Sequence, residues 1–129
     1  MRPAPLAVPL IAASLLLSAC GGEGISVAES DPTYEGAVLF AERCSGCHTI
    51  SAAGTQGSGD RDLKEQGPNF DQRVVSFDDA LFAIRNGGFG GAIMPQNIVV
   101  GDDARAVARF VSKWSGSEAD SPPKPSPDG

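Results

Sequence analysis

Three cysteines and one histidine hold much of the chemistry open to this chain, and three of those four residues fall together as Cys44-Ser45-Gly46-Cys47-His48. In a C-x-x-C-H spacing, two thiols can add across the vinyl groups of one haem while the adjacent imidazole reaches the iron from the same side. His48 is the only histidine among 129 residues, so its place directly after the cysteine pair is specific. Two simpler readings compete: a disulfide between Cys44 and Cys47 beside a bystander histidine, and a thiol redox site. Redox sites of that kind sit in a strand-and-helix context, and no such pattern precedes Cys44.

With no second histidine, the far face of such an iron is left to methionine, another side chain, water or an open position. Met94 is the only methionine besides Met1, and it stands in Gly90-Gly91-Ala92-Ile93-Met94-Pro95. Glycines let a backbone approach a macrocycle closely, and Pro95 stiffens the placement of the thioether. Met94 is therefore the candidate second axial ligand. A methionine that merely fills a core more often lies on an amphipathic helix or strand, and this stretch is neither.

The elements that must position these residues occupy a limited span. Residues 1 to 19 carry Arg2, no acidic residue and an apolar run from Leu6 to Leu17, the layout of a secretory signal too short to span a bilayer comfortably. The run ends in Leu17-Ser18-Ala19-Cys20-Gly21, which resembles the bacterial lipobox, so Cys20 is expected to be acylated and to become the mature N-terminus. Residues 20–31 read as a flexible tether, 32–116 as one folded domain, and 117–129, with Pro122, Pro123, Pro125 and Pro127, as a disordered tail. So small a domain buries a modest share of its surface and calls for a covalent or coordinated staple.

The formal net charge is −6, and it becomes more negative once Arg2 leaves with the signal. Nucleic acid is excluded as a partner on that balance, and membrane attachment must rest on acyl chains rather than on a basic patch.

Three helical patterns span the domain. The first opens at Asp31 as cap with Pro32 in the first helical position. The second runs from Ser76, with Asp79 three residues on, to a stop at Asn86-Gly87-Gly88. The third starts near Asp102, shows Val107, Phe110, Val111 and Trp114 at i, i+3, i+4 and i+7, and ends at Gly116. No alternating strand pattern appears. The expected class is all-α, about three main helices with long loops, and loops of that length are uncommon in a compact domain unless they wrap a ligand or do functional work.

Gly36-Ala37-Val38-Leu39-Phe40 ahead of the cysteine pair, Gly67-Pro68-Asn69-Phe70, Ile84-Arg85-Asn86-Gly87 before Met94-Pro95, and an aromatic last helix follow in order. Over Thr33 to about Trp114 this order resembles the class I, mitochondrial-like cytochromes c of bacteria. The resemblance implies the class I fold around one covalent haem c. It also implies that Gly36 and Phe40 cross the third helix near Phe110, and that the Pro68 carbonyl accepts the other ring N–H of His48. The expected function is a single-electron carrier with His48 and Met94 on the iron, exchanging electrons with a quinol-oxidising complex and a terminal oxidase or other reductase, and the lipobox-like run at Cys20 places it outside the cytoplasm, lipid-anchored to the outer face of the cytoplasmic membrane or periplasmic.

The chain departs from the family in its acidic balance and in having only Lys64, Lys113 and Lys124, so no lysine ring marks a docking surface. The loop from Ser51 to Gln66 is not diagnostic of a subfamily. Which charges meet the haem propionates is open, with Arg73 and Arg85 as candidates. Two other functions stay in view: a five-coordinate haem enzyme or gas sensor in which Met94 does not ligate, and a thiol or metal-handling lipoprotein using Cys44 and Cys47.

Overall fold

A computed structural model of the chain describes residues 24–57 and 67–119. Within them three helices, α1 (Tyr34–Arg43), α2 (Phe77–Asn86) and α3 (Gly101–Trp114), enclose the core, and a short hairpin pairs β1 (Thr49–Ile50) with β2 (Thr55–Gln56). The hairpin, in register Thr49 with Gln56 and Ile50 with Thr55, was not legible as a strand pattern because two residues are too few to show alternation. The class remains all-α. No helix among the described residues is long and apolar enough to cross a membrane.

Helices α1 and α3 meet at close range. A Cβ placed on Gly36 would strike the Ala106 carbonyl oxygen and stand 2.8 Å from Phe110 Cβ, so only glycine lets the two helices meet here. The cost of a glycine inside a helix, about 1 kcal/mol relative to alanine, is offset by that approach. One turn on, Phe40 and Phe110 pack with ring centroids 5.6 Å apart, both essentially inaccessible to solvent. The spacing of Ala104, Val107, Ala108, Phe110 and Val111 buries one continuous face of α3.

The start of α1 differs from the sequence expectation. Asp31 does not cap the helix: its carboxylate accepts from the Thr33 N–H (2.8 Å), the Thr33 hydroxyl (2.7 Å) and Lys113 Nζ (2.6 Å). With those oxygens turned to Thr33 and α3, the helix begins at Tyr34 with Thr33 as N-cap, and the Thr33 hydroxyl accepts from Trp114 Nε1 at 2.9 Å. By contrast α2 starts as its sequence suggests, with the Ser76 hydroxyl accepting from the Asp79 N–H at 3.1 Å, and it stops at Gly87 in the left-handed region, φ 75°. The last helix starts at Gly101, one residue before Asp102, and is followed by Ser115 in extended conformation and Gly116 at φ 78°.

Both expected domain edges move outward. Val27, inside the span read as tether, is 3% exposed in the core, and the Ser26 N–H donates to the Ala52 carbonyl at 3.0 Å. Ile25 also packs against the core, so apolar side chains hidden in a polar stretch join the domain. At the other end, the Glu118 N–H donates to the Asp71 carbonyl at 2.7 Å, which fastens the beginning of the segment read as tail. Residues 1–23, with the signal and Cys20, residues 58–66 of the long loop, and residues 120–129 lie outside the described span.

Two outcomes follow. Gly36→Ala should lower unfolding free energy by about 1–3 kcal/mol in a denaturant titration, since neither the Ala106 backbone nor Phe110 Cβ can give way without separating the helices. The Asp31 carboxyl is held down to about 2 by hydrogen bonds first from Lys113 and then from Thr33. Its folded-state pKa lies below the ordinary value, so its stabilisation is present above pH of about 4 and lost as pH falls towards 2. Acid-unfolding curves of the parent and of Asp31→Asn should therefore converge over that window and differ above it.

Candidate functional site

The turn after α1 gathers the reactive residues. Cys44 caps the helix, its N–H donating to the Phe40 carbonyl at 2.8 Å, and the Cys44 carbonyl then accepts from the N–H groups of Cys47 (3.2 Å) and His48 (3.0 Å). This one-turn fold brings both thiols and the imidazole to the wall of a single cavity of about 1130 Å³. Both thiols are free. Burial, and then the neighbouring Cys47, push the Cys44 thiol up to about 12. A thiol-redox site needs the opposite shift, toward an accessible thiolate, so this environment argues against that reading.

His48 is held on several sides. Its Nδ1 lies 3.1 Å from the Pro68 carbonyl oxygen. A carbonyl can only accept, so Nδ1 carries the proton, and the neutral ring then keeps its lone pair on Nε2. The Phe70 ring stacks on the imidazole at 4.6 Å between centroids and 9° between planes. Gly67 lies so close that a Cβ there would strike Cε1 and Nδ1 and stand 2.8 Å from Nε2. Burial lowers the His48 pKa and outweighs the opposing pull of the Pro68 hydrogen bond, which favours the neutral, metal-binding form.

Met94 lines the same cavity and is half-buried against the core. The loop that carries it is bound to the end of α2, where the Asn97 N–H donates to the Ile84 carbonyl at 2.8 Å. A Cβ on Gly87, which has φ 75°, would come within 2.6 Å of the Met94 carbonyl oxygen, so this glycine is what lets the loop fold back. The remaining walls are largely apolar, including Val75, Ala83, Ile84, Ile98 and Val111. Of the two arginines considered for propionates, Arg73 lines the cavity and Arg85 does not, while Arg43, passed over in the sequence, does.

The family model for cytochrome c matches residues 34–115. The chain belongs to the cytochrome c family. Among solved structures, this cytochrome is similar to the c-type cytochrome SorU from Sinorhizobium meliloti, at 31% identity and a TM-score of 0.54 over 71% of this chain and 100% of that one. No curated protein matches the chain significantly. Family members bind covalent haem c, and Cys44 and Cys47 stand in place for the attachment. The cavity fits the group: it is large, largely apolar, edged by two thiols, and faced by an imidazole whose one free nitrogen is Nε2.

The sequence marked Gly67 and Phe70 as parts of a recognisable string without giving them work. The structure shows that Gly67 makes room for the imidazole and Phe70 covers it. Gly67→Ala should displace His48 and reduce the yield of haem-loaded protein, read as the ratio of Soret to protein absorbance, with a loss of about 1–3 kcal/mol in stability.

Proposed function

We propose that this cytochrome carries single electrons between membrane-associated redox partners, with its haem attached at Cys44 and Cys47 and held axially by His48 and Met94. The observation that carries the proposal is the meeting of these four side chains on one cavity, although Met94 lies far from the other three in sequence. Bound there, the haem supplies a one-electron iron couple, and soft thioether ligation favours its reduced state.

His48 presents Nε2 because Pro68 takes the proton-bearing Nδ1, and that hydrogen bond makes the imidazole a stronger donor. Phe70 and Phe40 shield the ring from water, with centroids 4.6 and 6.3 Å from it. Arg43 and Arg73, the cations lining the cavity among the described residues, are our candidates to meet the propionates. The class I arrangement is supported by the helix order and by the crossing of α1 and α3 at Gly36.

Lipidation at Cys20 rests on Leu17-Ser18-Ala19-Cys20-Gly21. Because Val27 is already in the core, only six residues separate it from Cys20, a span of at most roughly 25 Å. Such a leash would hold the domain at the outer membrane face, at high effective concentration for partners in the same membrane. We assign as partners a quinol-oxidising donor and a terminal oxidase or other reductase as acceptor, docking through a small, transient interface.

Met94→Ala separates this carrier from a ligand-binding haem protein. The parent, matured with haem c, should show the weak far-red sulfur-to-iron charge-transfer band when oxidised and refuse carbon monoxide when reduced. The variant should lose the band and bind carbon monoxide. A parent that binds carbon monoxide at once, without denaturant, would replace the carrier with a ligand-binding site.

A further inference from the structure

The carbonyl that meets His48 is selected by a strip of pairing between two segments that run parallel. The Gly67 N–H donates to the Cys47 carbonyl at 2.8 Å, Thr49 bridges Asn69 in parallel, and the Phe70 N–H donates to the Thr49 carbonyl at 2.8 Å. His48 and Pro68 meet within this strip, 20 residues apart in sequence, and Ser51 and Asp71 meet at its far end with the same separation of 20. A one-residue slip would turn alternate groups to the opposite face and offer His48 a different carbonyl.

The far end is closed by a side chain. The Asp71 carbonyl is already taken by the Glu118 N–H at 2.7 Å, and the Phe70 carbonyl by the Gly116 N–H at 2.7 Å. The Ser51 N–H therefore finds the Asp71 carboxylate, at 2.9 Å to Oδ1 and 3.1 Å to Oδ2, while the Ser51 hydroxyl donates to Oδ2 at 2.6 Å. The Ser117 hydroxyl donates to Oδ1 at 3.3 Å. Asp71 is 3% exposed, and a carboxylate so buried must be met by donors, so the contacts are costly to break.

We propose that Asp71 is a positioning residue for the haem ligand: it pins the register of the strip, and so fixes the Pro68 carbonyl on His48 Nδ1 and sets the basicity of the imidazole. The inference rests on the reading of His48 as the axial ligand. A looser strip weakens the hydrogen bond, makes the imidazole a poorer donor to ferric iron, and raises the reduction potential.

The test uses the full haem-loaded protein with Ser51→Ala, which leaves the charge of Asp71 in place, and Asp71→Asn, which keeps its shape. Proton NMR reads hydrogen exchange at His48 Nδ1 and voltammetry reads the potential. Both variants should speed that exchange about tenfold or more, as loss of a hydrogen bond to a charged acceptor would, and both should move the potential upward. Should Asp71→Asn fail to fold, Ser51→Ala alone decides. A lower melting temperature with parental exchange and potential would overturn the proposal, leaving Asp71 a stabilising residue only. So would a potential that rises in Asp71→Asn alone with exchange unchanged, since that is the effect of a removed charge. In the parent, a His48 ring signal lacking any paramagnetic shift in the oxidised protein would instead overturn the axial-ligand reading itself.

Discussion

The hydrogen bond between His48 and Pro68 is the constraint on which the site turns. A neutral imidazole offers a metal whichever nitrogen lacks the proton, and here a carbonyl that can only accept decides which nitrogen that is. Everything nearby serves that geometry. Gly67 has no side chain because the ring occupies its space, Phe70 lies flat on the ring, and the residues on either side of Pro68 are laced to the segment that carries Cys47 and Thr49. The helices supply a frame. Phe40 belongs to both, touching Phe110 in the core and facing His48 in the cavity.

A domain of this size gains from such a frame only if something fills its centre. The described core is small, with Phe40, Phe110, Ile50 and Val107 its largest fully buried side chains, and α1, α2 and α3 surround a cavity of about 1130 Å³. Haem c, attached to Cys44 and Cys47 in the turn after α1, fills that centre and packs against the rest of the wall. This explains how so few residues hold a stable shape with long connections.

Much of this was legible from residue types alone. Cys44, Cys47 and His48 stand out because their spacing suits one macrocycle edge, and Met94 because it is the only methionine besides Met1 and the chain has no second histidine. The third helix was plain because its buried positions repeat with helical period. The misread parts share a physical cause. Asp31 looked like a cap, but its oxygens were claimed by Thr33 and by Lys113, which is distant in sequence. Val27 sat in a polar stretch and was buried by tertiary packing that no local pattern reports. Asp71 carried no signal as an isolated acidic residue. Its role appears only when Ser51 and Ser117 are seen to converge on it.

The most direct test of the account is a redox titration of the haem-loaded protein followed by its optical spectrum. The account predicts one wave that fits a single-electron Nernst curve, with low-spin spectra in both oxidation states and no change of ligand between them. A reduced state that is high-spin, or a titration needing more than one electron, would contradict it.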